Sequence, residues 1–231
     1  MKLLTLSKPG MFSSVSPWSL WFAGLTVALA MTGLAAANLY IPGDTVISNS
    51  VQSIEFPGRS LVSEALYRGG LAPLFWLIAA AVATLLFWRG HRLGAGFVAA
   101  AAVTRLAAVL IKEIVERPRP SALEVSVSEQ AAGFSFPSSH VFATAALLGF
   151  LIYLAHELIP NARARIATQA TLLSLIALMG VQRVSTGAHW PTDVLAAWVW
   201  GGVVVFALAQ LYRYCARCDW GNRLAATPLR S

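Results

Sequence analysis

Charge is scarce in this chain of 231 residues: Asp, Glu, Lys and Arg together make up 12% of it, against roughly 25% in soluble domains. That shortage excludes a water-soluble globule, and with 57% hydrophobic residues and a mean hydropathy of +0.66 the chain reads as a membrane protein. Acidic residues are scarcer than basic ones, 10 against 17, for a net charge of +7. The excess sits beside apolar runs, where it orients a membrane protein, so no nucleic-acid partner is expected. Cysteine is nearly absent: Cys215 and Cys218 form a lone "CARC". Two thiols cannot complete a four-ligand zinc site, which leaves a reduced, incidental pair as the favoured reading over metal binding through dimerisation or lipidation. Repeats and low-complexity tracts are missing too.

Apolar runs near the length of about 20 residues that crosses a bilayer fall at 18–39, 71–88, 93–111, 141–159, 166–183 and 192–212. The expected fold is therefore all-α, a single polytopic domain over 1–231 with six transmembrane helices. Lys2, Lys8, Arg89, Arg92, Arg163, Arg165, Arg213, Arg217, Arg223 and Arg230 collect on one side, while most acids lie on the other. Basic residues in short loops mark the cytoplasmic side, so both termini are expected there. The first run, ending in "LAAAN", has the look of a signal peptide but exceeds the usual apolar length of one, which favours a retained span.

The linkers at 89–92 and 160–165 are short, whereas the outer loops, 40–70 and 112–140, are long enough to carry function. In the first, Ile47, Val51, Ile54, Leu61 and Leu66 are spaced as in short amphipathic helices on the membrane surface. A solvated connector is the competing reading.

Three polar clusters stand at the outer ends of the spans. "IKEIVERPRPS" carries Lys112, Arg117 and Arg119; "PSSH" carries Ser138, Ser139 and His140; "QRVSTGAHWPTDV" carries Arg183, His189 and Asp193. Each has a plain structural explanation. Basic residues at span ends snorkel to the interface, Ser138 or Ser139 ahead of an apolar run suits a helix N-cap, and Pro191 with Asp193 suits a first helical turn. Their conjunction on one side of the membrane points further. Lys112, Arg119 and Arg183 would supply cations to a phosphate, and the amides around Ser138 to His140 an anion site at a helix N-terminus. Of the two histidines, His189 is the better nucleophile, because Asp193 four residues on can orient its ring. His140 suits the general acid that protonates the departing alcohol and then activates water.

These segments resemble the type 2 phosphatidic acid phosphatase superfamily, the membrane lipid phosphatases related to vanadium haloperoxidases. "KEIVERPRP" matches its Lys, six residues, Arg, Pro motif; "PSSH" its second motif, usually Pro-Ser-Gly-His; and "RVSTGAHWPTD" its Arg, five residues, His, three residues, Asp motif. The resemblance implies a metal-independent phosphatase with no cofactor. It also implies a phosphohistidine on His189, His140 as acid, Asp193 orienting His189, and Lys112, Arg119, Ser138, the Ser139 amide and Arg183 binding phosphate. Ser139 departs from the family's glycine, and Gln182 from a serine common before the arginine. The expected partners are the bilayer and a phospholipid, polyprenyl (di)phosphate or lipid A. Together with the compact size, the resemblance points to a bacterial inner membrane, with the site facing the periplasm or cell exterior.

A lipid phosphotransferase using the same histidine, or a non-enzymatic membrane protein retaining the pocket, are the alternative functions. No carboxylate cluster suited to a catalytic metal accompanies the motifs. Two arginines fall outside them. Arg105, two turns before Lys112, reads as a partner for an ion pair or helix end, or as a support for the site; Arg117 reads mainly as surface-solvated.

Overall fold

The computed structural model describes residues 16–37, 41–55 and 57–218. Lys2, Lys8, Arg223 and Arg230, which entered the orientation argument, lie outside them, as do residues 38 and 39 of the first expected span. Every regular element among the described residues is an α-helix: α1 (Pro17–Ala36), α2 (Asp44–Gln52), α3 (Arg59–Gly70), α4 (Ala72–Trp88), α5 (Arg92–Val103), α6 (Arg105–Val115), α7 (Ser139–Leu158), α8 (Ala162–Ser185) and α9 (Pro191–Arg217).

Five helical stretches are long and apolar enough to cross a membrane: α1, α5 and α6 running together as Arg92–Val115, α7, α8 and α9. The sixth expected span is different. The 17 residues of α4 rise about 26 Å at 1.5 Å each, just short of a hydrocarbon core, and a 72° bend joins α4 to α3. Six spans result only if that bent pair counts as one. The chain is an integral membrane protein, and large side chains such as Leu77, Leu110 and Ile114 stay exposed on the bundle surface as lipid-facing residues do.

Local chemistry sets the helix starts. The Ser16 hydroxyl accepts from Trp18 N ahead of Pro17, and Asn161 Oδ1 accepts from Ala164 N at 3.0 Å. At α9, Pro191 opens the helix and the Asp193 carboxylate accepts from Trp190 N at 2.9 Å. Between α5 and α6 the helix breaks at Thr104, whose hydroxyl donates to Ala101 O at 2.6 Å.

The most buried helix is α7, which packs on α5, α6, α8 and α9. One core cluster joins Phe97, Val98, Phe150 and Leu154 with Phe75 of α4; another joins Val141 and Phe142 to Met179, Val184 and Val194. Close approach depends on small residues, as is usual between membrane helices. A Cβ on Gly201 would press into Ala145, and one on Gly180 into Trp198 and Val194.

The stretch after α1 is helical, as the apolar spacing suggests. Val51 and Leu66 turn inward onto the Phe142 cluster, while Ile47, Ile54 and Leu61 remain exposed. Arg105 has a backbone partner and no ion pair among the described residues: it donates to Gly70 O at 3.0 Å and lies over the Phe75 ring at 5.0 Å. It thus satisfies a carbonyl freed where α3 ends and the chain bends into α4.

Candidate active site

The end of α6 with the loop after it, the start of α7 and the α8–α9 turn meet at one end of the bundle, and with them all three clusters. The α8–α9 turn is the least replaceable piece of backbone. Gly187 sits at φ +69°, and a Cβ there would strike the carbonyl oxygen of Ser126. Past it, His189 N donates to Arg183 O at 3.2 Å, which folds the ring back under α8. His189 is 2% exposed. Its Nε2 stands 3.3 Å from Arg119 Nη1, and its Nδ1 is 3.6 Å from Asp193 Oδ2. The second spacing exceeds the 2.7–3.2 Å of a direct N–H···O bond, so Asp193 faces the expected nitrogen without yet bonding it. Burial, followed by the nearby charges of Lys112, Arg183 and Arg119, holds the imidazole well below the usual histidine range. Neutral imidazole is the form with a lone pair to offer.

The loop from 116 to 138 is folded back by its own cations. Lys112 Nζ donates to Phe134 O (2.8 Å) and Ser135 O (3.2 Å), while Arg119 reaches Ala132 O, Gly133 O and Ala188 O at 2.6 to 2.9 Å. Ser135 N pairs with Arg117 O at 2.8 Å, fastening the loop's two limbs. Arg183 is fully buried, and its fork is taken by both oxygens of Glu129 at 2.7 and 2.9 Å. A planar anion therefore already occupies the bidentate geometry that suits phosphate oxygens.

Arg117 departs most from expectation. It is 4% exposed rather than solvated, bonding Asp193 Oδ1, Thr192 Oγ1 (2.8 Å) and Asp44 Oδ2 (2.9 Å). Asp193 completes its coordination with Trp190 N at 2.9 Å. The carboxylate facing His189 is thus fixed by one guanidinium and one amide, and Arg117 acts behind the site.

The "PSSH" segment carries groups that the protein itself leaves unused. Ser138 occupies the N-cap of α7, yet its hydroxyl makes no cap bond, contrary to the plain capping reading. Among the described residues, Ser138 Oγ and His140 Nε2 are both buried without a hydrogen-bond partner, and Ser139 is half-buried at the first position of the helix. Such atoms carry a desolvation cost unless something meets them. The His140 ring stacks on Tyr67 at 6.2 Å and 16°, held where a Cβ on Gly70 would collide with it. The backbone at the α3–α4 bend therefore packs directly against this histidine.

Asp44, Glu129, Tyr67 and Gln52 were not foreseen as neighbours of the site. Gln52 ties α2 to the loop after α6 through Ser126 and to α8 through Val184 O. Asp44 lies 73 residues from Arg117, and a lone carboxylate after an apolar run gives no hint of so distant a partner. Gln182 hydrogen-bonds Ser63 at 3.3 Å, which accounts for an amide at that position.

Comparison with known proteins bears on the same segments. A decaprenylphosphoryl-5-phosphoribose phosphatase from Mycobacterium tuberculosis is 30% identical over 171 residues, 70% of this chain and 86% of the relative. The enzyme of that name from Mycolicibacterium smegmatis is 30% identical over 140 residues, 60% of this chain and 71% of its own. The crystal structure described as the first transmembrane PAP2 type phosphatidylglycerolphosphate phosphatase, from Bacillus subtilis, superposes with a TM-score of 0.71 over 85% of this chain and 98% of the other, at 22% identity, a likeness of fold. The PAP2 superfamily model matches residues 93–217, which contain all three polar clusters and the helices that carry them. The chain belongs to the PAP2 superfamily.

Proposed function

We propose that this protein is a lipid phosphate phosphatase that hydrolyses a phosphate ester of a membrane lipid through a phosphohistidine on His189. The observation that carries the reading is the set of unspent polar atoms. Ser138 Oγ and His140 Nε2 are buried and have no hydrogen-bond partner among the described residues, so two groups of the expected kinds await an anion beside His189, whose Nε2 meets Arg119. The family and the phosphatase names of the relatives support the reaction class.

In the proposed mechanism the phosphoryl group displaces the Arg119 contact at Nε2 and takes over from Glu129 as partner of Arg183. Lys112, Arg119, Arg183, Ser138 Oγ and the Ser139 amide neutralise its oxygens. His189 Nε2 attacks phosphorus, the P–O bond to the lipid alcohol breaks, and His140 gives that oxygen its proton. Asp193, clamped by Arg117 and Trp190 N, stabilises the resulting imidazolium at Nδ1. His140 then takes a proton from water, which attacks phosphorus; the P–Nε2 bond breaks with its electron pair returning to His189, and phosphate leaves. No cofactor enters these steps. The basic residues beside the short linkers support cytoplasmic termini and a site on the outer face of a bacterial inner membrane.

Phosphate release from detergent-solubilised phosphatidic acid, phosphatidylglycerol phosphate, undecaprenyl diphosphate and lipid A, with EDTA present, tests this. Wild type is expected to release phosphate and folded His189→Ala is not; loss of all wild-type release in EDTA would overturn the metal-free mechanism.

A further inference from the structure

The candidate site occupies one end of the bundle. The opposite end carries a groove of about 650 Å³ between the start of α1 and the last turns of α9, within the ordinary range of small-ligand sites. Trp18 and Trp21 line it from α1, and Gln210, Arg213, Tyr214 and Arg217 from α9. We propose that this groove holds the headgroup of an anionic phospholipid, in the leaflet opposite the candidate site. The inference is separate from the proposed reaction, which takes place about 30 Å away along α9, at 1.5 Å for each of the 20 residues from Asp193 to Arg213.

Helix length sets the depth of the groove. The 27 residues of α9 rise about 40 Å, past a hydrocarbon core of about 30 Å. With its start among the loops of the candidate site, the turns bearing Arg213 and Arg217 stand at headgroup level. The 20 residues of α1 rise about 30 Å, which puts Trp18 at the same boundary, where tryptophan concentrates, and Trp21 one turn deeper. Both indoles are held in place. Trp21 Nε1 donates to Val203 O at 3.0 Å, and the rings of Trp18 and Trp21 meet Phe206 at 5.5 and 6.5 Å. They present a fixed apolar wall to the glycerol and upper acyl carbons of a lipid.

Charge decides among occupants. The groove is lined by two guanidiniums and, among the described residues, no carboxylate. Among the same residues Arg213 bonds the Gln210 amide oxygen at 2.6 Å and forms no ion pair, and Arg217 has neither a hydrogen bond nor an ion pair. Other cations at this end of the bundle are engaged: Arg92 lies over the Phe87 ring at 5.3 Å, and Arg165 donates to Ile159 O at 3.2 Å. A lipid phosphate would meet the unspent donors of Arg213 and Arg217 with charge-assisted bonds, beside aromatic walls that keep water back. A choline headgroup would find the rings but bring a third cation beside the two arginines. A lipid of net negative charge is therefore the occupant that fits, as in other basic pockets between membrane helices.

Native mass spectrometry of the detergent-solubilised protein tests this, with phosphatidylglycerol and phosphatidylcholine of matched chains offered in equal amounts. Phosphatidylglycerol is a diester with no phosphate to release. Wild type is expected to retain it by about tenfold over phosphatidylcholine, the scale that two cations near a lipid surface set, and to lose the preference as ammonium acetate is raised. Arg213→Gln combined with Arg217→Gln should erase most of the preference. Arg89→Gln combined with Arg163→Gln removes two cations from the same face without touching the groove, and should preserve it. Equal retention of the two lipids by wild type, or a preference unmoved by salt, would overturn the site even if the variants failed to fold. A preference unmoved in the Arg213 and Arg217 variant would overturn it as well. Equal loss in the Arg89 and Arg163 variant would do the same, by reducing the effect to diffuse surface charge. Dimer ions free of lipid would make a second copy of the chain the occupant and overturn the lipid site.

Discussion

Arg117 holds two buried carboxylates at once, Asp44 and Asp193. Removing one partner of a buried ion pair leaves uncompensated charge, at a cost of about 3–5 kcal/mol. Arg117→Leu should therefore lower the thermal unfolding midpoint in detergent by many degrees, and Arg117→Lys should rescue little, because a compact ammonium does not reproduce the planar fork by which the guanidinium reaches Asp44, Asp193 and Thr192. Recovery of wild-type stability in the lysine variant would contradict the network. The His189 imidazole carries a pH signature. Its folded pKa lies well below the ordinary value, so on acidification the unfolded chain binds the proton first, near pH 6.5, and stability falls as pH drops. The slope reaches at most about 1.4 kcal/mol per pH unit for one group. His189→Gln should lose less stability than wild type between pH 7.5 and 5, and equal losses would count against a buried neutral ring. The residues of the candidate site were legible in the sequence because their spacing is local: His189 and Asp193 lie within one helical turn, as do Ser138 and His140. Their supports were not, since Asp44 and Glu129 meet their arginines only through folding.

At the scale of elements, the bundle is held by close backbone contacts more than by large side chains. Gly201 faces Ala145 where α9 crosses α7, and any Cβ there must displace its neighbour. Gly201→Leu is expected to destabilise the fold by about 1–3 kcal/mol through overpacking, read as a lower unfolding midpoint; an unchanged midpoint would show that the helices slide apart freely. The apolar runs gave five of the spans to within a few residues, because a run of lipid-facing length has few other uses. The sixth was less legible. Gly69, Gly70 and Pro73 stand in the sequence around the bend, yet the bend's purpose is tertiary: Arg105 takes the Gly70 carbonyl and His140 needs the space a Cβ would fill.

For the whole molecule, the charge asymmetry of the linkers supports one orientation, with the candidate site on the face opposite Arg89, Arg92, Arg163 and Arg165. Leu123, 98% exposed in the loop after α6, is a suitable reporter. In intact cells a membrane-impermeant maleimide should label Leu123→Cys, while Arg163→Cys and the native Cys215 and Cys218 react only after lysis. The reverse pattern would invert the molecule and place its chemistry in the cytoplasm. That orientation would leave the proposed catalytic constellation untouched, so its central step needs a separate test. The most direct one is a single-turnover reaction stopped in alkali, followed by peptide mass spectrometry of wild type and His189→Ala. The account predicts a phosphoryl group on the peptide bearing His189, absent from the alanine variant. Phosphate release by wild type with no phosphorylated peptide, or with the label on another residue, would contradict it.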